Sequence, residues 1–204
     1  MKNIAILGSE GQLGLSIQHM LGQYEHSYNT ILLDKDELDI TNREAVNDFF
    51  KHHSTLDVLI NCAAYTAVDK AEENADLAYQ INAEGVKHLV ENMPSSSVLI
   101  HISTDFVFDG QKDGAYVESD TTHPLGIYGK SKEEGEQALL ASKKTTYILR
   151  TARLYSPFGQ NFMKTMQKLG SNRPSLNVVD DQFGCPTSSI ALAEVIIQLI
   201  AKDR

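Results

Sequence analysis

The chain has 204 residues, 42% of them apolar, 22% charged and 7% aromatic, fractions that suit a globular protein and exclude a disordered or fibrous one. Acidic residues outnumber basic ones 27 to 18, so the formal charge is −9, and the densest basic pair is Lys143-Lys144. That balance argues against a nucleic-acid partner, which needs a basic stripe for the phosphates. No apolar run approaches the ~20 residues that cross a bilayer, so no membrane partner is expected.

Asn3 to Leu7 is a continuous apolar run that stops at Gly8. It reads as a parallel strand buried on both faces rather than a signal peptide, because no small-residue cleavage site follows. Gly11 to Tyr24 carries Leu13, Ile17, Met20 and Leu21 at helical spacing. A strand at Thr30–Asp34 follows, then a helix starting near Thr41, where Thr41 and Glu44 have the spacing of a capping box. Asp57–Asn61 reads as a third strand, Asp76 to Asn92 contains a helix, and Val98–Ser103 reads as a fourth strand. Asp109 to Pro124 has no clear periodicity, and so long a connection in a compact domain is usually functional. Tyr128–Ser142 reads as a helix, Thr146–Arg150 as a strand and Asn161 to Leu169 as a helix; Leu176–Val179 and a helix from Ser189 to Lys202 finish the chain. Repeated β-α-β units predict an α/β fold, a Rossmann-like doubly wound parallel sheet covered by helices on both faces.

Directly after the first strand comes Gly8-Ser-Glu-Gly11-Gln-Leu-Gly14, opening a helix. A dinucleotide site needs such a tight turn, close backbone approach to a pyrophosphate and a helix N-terminus facing the phosphates. Asp34 ends the second strand 20 residues after Gly14, where an acid suits a ribose 2′-hydroxyl. Asp34 disfavours a 2′-phosphate and so favours NADH, whereas Lys35 beside it offsets the repulsion, so the cofactor is NADPH or NADH. Asp39-Ile40 is placed to edge the adenine, or Asp39 is simply a helix-start residue before Thr41.

Tyr128 and Lys132 are four residues apart, on one face of a helix. A phenol with a pKa near 10 is a poor acid–base catalyst at neutral pH, and a neighbouring ammonium brings it toward its working range. Lys132 is also placed to hold the ribose hydroxyls. Thr104 follows Ser103 at the carboxyl edge of the fourth strand, where ligands of open α/β sheets bind, and offers a hydroxyl to a substrate carbonyl. Thr104, Tyr128 and Lys132 together suit hydride transfer at a carbon bearing oxygen.

These residues, with the segments LDIT, NCAAYTAVDKAEE, the Asn82-Ala-Glu-Gly turn, STDFVFDG, YGKSK, RTARLY, GQNFMKTM and VVDDQFGCPT, closely resemble the dTDP-4-dehydrorhamnose reductase family of extended short-chain dehydrogenases/reductases. The resemblance implies reduction of a nucleotide-linked 4-keto sugar. It places Gly11, Gln12, Leu13, Asp39, Ile40, Ala63, Ala64, Tyr65, Tyr128 and Lys132 on cofactor positions. It makes Tyr128 the proton donor, lets Thr104 position the keto oxygen, and puts Thr104, Asp105 and Arg153 on the sugar nucleotide. Two positions depart from the family: Arg153 stands where Trp is usual, and Phe106 where Tyr is usual. Arg153 would replace aromatic stacking by pairing with the diphosphate. Some members form a metal-linked dimer through an acid after the glycine motif; here that stretch is Leu15-Ser16, so a homodimer is compatible but the metal is not expected. The family pattern extends past residue 204, so residues 1–150 are expected to form the dinucleotide-binding domain and 151–204 a partial substrate-binding region interleaved with the last strands and helices.

Two other activities share parts of this pattern: a regulatory subunit of the methionine adenosyltransferase type, and a sugar-nucleotide epimerase or dehydratase. A dehydratase favours Asp-Glu after the threonine, whereas Asp105 is followed by Phe106. Cys62 and Cys185 lie far apart, each in an apolar or turn segment, and are expected as two buried thiols, which fits a reducing cytoplasm; without CxxC spacing no zinc site is expected on them. His52-His53 is expected to complement a helix dipole. Asp69, Glu72, Glu73 and Asp76 are expected on a solvated helix face, and Pro186-Thr187 is expected to cap the last helix.

Overall fold

The computed structural model describes residues 1–24, 28–180 and 182–202. Strands β1 (Lys2–Leu7), β2 (Tyr28–Leu33), β3 (Val58–Asn61), β4 (Val98–Thr104) and β5 (Thr145–Thr151) form one sheet in the order β2-β1-β3-β4-β5. Every neighbouring pair is parallel. Alternation along these apolar strands decides which layer a side chain joins, since both faces are covered. Ile4, Ile6, Val58, Ile60 and Ile100 meet α1 (Gln12–Leu21) and the last helix, α8 (Ser189–Lys202). Ala5, Leu7, Leu59 and Leu99 meet the opposite layer of α2 (Arg43–His52), α5 (Gly85–Asn92) and α6 (Ile127–Ala141). The short helices α3 (Val68–Ala71) and α4 (Ala75–Tyr79) precede α5, and α7 (Phe162–Asn172) lies in the chain between β6 (Leu154–Tyr155) and β7 (Thr187–Ser188), which pair as a two-stranded parallel sheet. The chain leaves β1 toward β2 and returns past it to β3, so the direction of winding reverses between β1 and β3. The crevice at the carboxyl ends of those strands is where such a sheet receives a ligand.

Several local expectations change. The N-cap of α2 is Asn42, whose Oδ1 accepts from the Glu44 and Ala45 amides, while Thr41 donates its hydroxyl to Asp39. α1 stops at Leu21 rather than reaching Tyr24, and β2 begins two residues earlier than read, at Tyr28. The Asp76–Asn92 helix widens into a π-helical turn at Gln80–Glu84, so Asn82 lies inside a helix and not in a turn. Leu176–Val179 forms no regular element. Cys185 is exposed rather than buried, and both cysteines are free. His52 and His53 do bond the Asp48 and Phe49 carbonyls at the end of α2, 2.8 Å each. At the last helix it is the Ser188 hydroxyl that accepts from the Ala191 amide, and Thr187 is part of β7. No described helix is long and apolar enough to cross a membrane.

The α2–α5 layer rests on side chains such as Leu59, which is 0% exposed. Leu59→Ala is expected to lower the unfolding free energy by about 2–5 kcal/mol in denaturant titrations, the usual cost of a buried cavity of that size.

Candidate active site

β1 ends at Leu7 and the chain turns through Gly8 into α1, whose N-cap is Gly11. A Cβ on Gly14 would lie 2.3 Å from the Gly8 carbonyl oxygen and 2.6 Å from that of Ser9, so no larger residue fits. This is the close helix-on-strand contact that the glycine spacing predicts. No side chain caps α1, so its first amides and its positive end are left to the cleft. That cleft, of roughly 910 Å³, runs along the carboxyl ends of the strands.

The cleft gathers nearly all of the expected residues. On the dinucleotide side it is lined by Gly8, Gly11, Gln12, Leu13, Gly14, Asp34, Asp39, Ile40, Ala63 and Ala64. Asp34 sits just past β2, its carboxylate accepting the Glu10 and Lys35 amides at 3.0 and 2.9 Å, which fixes it at the rim of the turn. Asp39 lies in the lining while accepting both the amide and the hydroxyl of Thr41, and the Thr41 hydroxyl holds its carboxyl below the usual range. Tyr65 is the exception: it is absent from the lining, and its amide and carbonyl are both bonded by the Asn82 side chain, at 2.9 and 3.1 Å. Thr66, just before α3, and Val68, Leu77 and Ile81, from helical segments, line the cleft instead, a reach the sequence pattern does not show.

On the other wall stand Thr104, Asp105, Phe106, Tyr128, Lys132 and Arg153. Helix α6 starts where Glu72 accepts the Ile127 amide at 2.8 Å, so this acid serves as a cap from another helix rather than only solvating a face. Burial pushes the Tyr128 phenol above its ordinary value, the Thr104 hydroxyl pulls it back, and Asp105 raises it again. The ring of Phe106 meets Tyr128 edge-on, with centroids 5.6 Å apart. Lys132 is 1% exposed; its Nζ donates to the Ile102 carbonyl at 2.7 Å and lies 3.3 Å from His101 Nε2. Burial lowers the lysine to about 8.

The sequence reading missed the polar groups beneath this wall. His101, on β4 opposite Asn61 of β3, is fully buried and held well below its usual value by burial and by Lys132. Glu136, also fully buried, takes Arg150 in a two-pronged ion pair with contacts of 2.5 to 3.2 Å and accepts the Ser103 hydroxyl at 2.5 Å. Arg150 lies over the Phe108 ring at 4.9 Å, and Phe108 stacks on Tyr116, which anchors the long connection after β4. A histidine inside the apolar run VLIHIS was the one available signal.

Arg153 adopts φ +46°, and its guanidinium donates to the Gln182 carbonyl and side-chain oxygen at 3.2 and 3.3 Å. It also draws down the Asp105 carboxyl, which burial raises. Beside Thr104, the Thr151 hydroxyl of β5 is in the lining, buried without a hydrogen-bond partner. A glycine cradle, an uncapped helix N-terminus and an orphaned hydroxyl in one cleft fit a long polar ligand such as a dinucleotide with its substrate.

The family model described as "RmlD substrate binding domain" matches residues 1–204. The dTDP-4-dehydrorhamnose reductase of Aggregatibacter actinomycetemcomitans is 46% identical over 99% of this chain and 68% of its own length. The enzyme of that name from Sinorhizobium fredii is 38% identical over 96% of this chain and 65% of its length.

The chain belongs to the dTDP-4-dehydrorhamnose reductase family.

It spans about two thirds of the length of these relatives. The solved reductase from Clostridium acetobutylicum superposes with a TM-score of 0.91 at 45% identity, covering 98% of this chain and 71% of that one. The Bacillus anthracis reductase, solved in complex with NADP, gives 0.91 at 39% identity, covering 100% and 72%. A UDP-glucose 4-epimerase from Brucella ovis, 16% identical at a TM-score of 0.83, shares the fold alone. Family membership bears out the parallel α/β fold and the reading as an NAD(P)H-dependent oxidoreductase. The glycine cradle yields a direct test. Gly14→Ala is expected to weaken dinucleotide binding at least about tenfold by calorimetry, because the added methyl drives α1 off the strand end that shapes the phosphate site.

Proposed function

We propose that the chain reduces the 4-keto group of a nucleotide-linked deoxysugar, converting dTDP-4-dehydro-L-rhamnose to dTDP-L-rhamnose with NADPH or NADH, in the cytoplasm. The observation that carries this reading is the convergence of Thr104, Tyr128 and Lys132 on one wall of the cleft whose other wall is the glycine turn. The Bacillus anthracis relative binds NADP; here the amides at the start of α1 would hold the pyrophosphate, with Asp34 at the adenosine ribose and Ala63 and Ala64 along the adenosine. Asp34 opposes a 2′-phosphate and exposed Lys35 offsets it, consistent with use of either coenzyme. Residues 1–150 supply the dinucleotide half and 151–204 part of the substrate half, although α8 returns to pack on α1.

The bound dinucleotide supplies the hydride. Tyr128, kept protonated at neutral pH by its burial, gives its proton to the keto oxygen as that oxygen becomes an alkoxide. Thr104 donates a hydrogen bond to the same oxygen and so sets its place beside the phenol. Lys132, as the ammonium, holds the ribose hydroxyls and stabilises the phenolate left behind. Asp105, Phe106 and Arg153 face the sugar nucleotide, with the Arg153 fork suited to the diphosphate.

Two measurements test the assignment. Following nicotinamide absorbance with dTDP-4-dehydro-L-rhamnose and saturating dinucleotide, Tyr128→Phe should lower turnover by about 10²–10⁴-fold, the usual weight of a positioned acid. Sugar-independent behaviour with the dinucleotide still bound would overturn the reductase reading. In a pH series, kcat/KM should fall as pH rises through about 8, because Lys132 is charged below that value and neutral above it. Tyr128 keeps its proton across this range, so the limb belongs to the lysine. Lys132→Arg, which stays charged, should lose the limb even as turnover drops.

A further inference from the structure

Lys132 is buried, and burial favours its neutral amine. The Glu136 carboxylate on α6 pulls the other way, toward the ammonium, although it is already engaged by Arg150 and Ser103. At the end of β3, burial pushes the Cys62 thiol up to about 12, so it stays neutral. Tyr128, one turn earlier on α6, is a protonated phenol. On β4 the lysine meets the Ile102 carbonyl, which accepts, and the His101 ring.

The proton on that ring can be assigned. Asn61 Oδ1 accepts the Ala63 amide at 3.1 Å, which fixes the side-chain amide and aims its Nδ2 at His101 Nδ1, 3.1 Å away. An amide nitrogen only donates, so Nδ1 accepts, and the neutral ring must carry its hydrogen on Nε2. Nε2 faces Lys132 Nζ at 3.3 Å. An ammonium there opposes one donor to another, whereas a neutral amine turns its lone pair to the N–H and still donates to Ile102.

We propose that Asn61 and His101 form a positioning pair for Lys132: the imidazole, locked as the Nε2–H tautomer, favours the lysine amine over the ammonium. The lysine is then docked on β4 when neutral and released toward the cleft when it takes up a proton from solvent. Hydrogen bonding to the neutral form of a base weakens its hold on the proton, and burial acts in the same direction. The inference rests on reading Lys132 as the residue that serves the phenol and the ribose, but its test needs neither turnover nor ligand.

The test is nuclear magnetic resonance on the ligand-free full chain, reading the ¹⁵N shifts of the His101 ring and the titration of the Lys132 side chain. The expected wild-type ring has its hydrogen on Nε2. Asn61→Asp keeps an acceptor for the Ala63 amide and adds a second oxygen that accepts from Nδ1–H, so the tautomer should invert and the Lys132 titration should rise by about one pH unit or more. His101→Phe fills the same buried space without a donor and should also raise it, which keeps the test open if the aspartate variant does not fold. A ring with its hydrogen on Nδ1 in the wild type, or a Lys132 titration that stays put in the folded variants, would overturn the proposal. Absent sugar-dependent turnover would instead count against the reductase reading alone.

Discussion

The chemistry of this molecule depends on how closely α6 lies against the carboxyl end of the sheet. A Cβ on Gly129 would come within 2.2 Å of the Phe106 carbonyl oxygen, and one on Gly135 within 2.2 Å of the Asn82 carbonyl oxygen. Those two bare positions let the helix touch backbone on both sides, and Tyr128 and Lys132 ride on it beside them. Glu136 then fixes the register, tying the helix to Ser103 of β4 and Arg150 of β5. A buried ion pair of this kind contributes little net stability, because removing two charges from water costs nearly what their attraction returns. Its value here is geometric: with Arg150 also lying over Phe108, one carboxylate sets the helix, the strand ends and the loop after β4 together.

A protein of formal charge −9 that is to receive a dinucleotide and a nucleotide diphosphate needs positive potential where the phosphates lie. The structure supplies it locally. The uncapped start of α1 serves one end of the cleft and Arg153 the far wall, with Lys132 adding to the middle once it takes up a proton. The surrounding negative charge is carried by exposed acids that ionic strength screens, whereas the cleft groups are partly or wholly out of water and act at short range.

The sheet and its helices were legible because buried parallel strands read as unbroken apolar runs and the helices repeat with a period of 3.6. The glycine turn, Asp34, Thr104, Tyr128 and Lys132 were legible because each holds a fixed place relative to a strand end or a helix turn. What escaped depends on pairings across the fold. Thr41 looked like a cap, but Asp39 engages it and Asn42 caps instead. Asn82 looked like part of a turn, but it lies in a π-helical turn that brings its side chain against the Tyr65 backbone. Glu136 and Arg150, 14 residues apart, pair only once α6 lies on β5, and no spacing in the sequence announces that contact.

Arg153 shows how a departure from the family pattern is accommodated. A residue other than glycine rarely holds φ +46°, and such strain persists only where neighbours fix it. Here Gly184 leaves room: a Cβ at that position would lie 2.6 Å from Arg153 Nε, so the guanidinium stem occupies the space a side chain would fill. The fork is satisfied by Gln182 and lies close enough to Asp105 to draw its carboxyl down. With Phe106 lacking a hydroxyl and Arg153 lacking an aromatic face, the proposed sugar-nucleotide site replaces stacking by charge. A diphosphate would compete with Gln182 for the fork at little electrostatic cost, since exchanging two neutral acceptors for an anion strengthens each bond it makes.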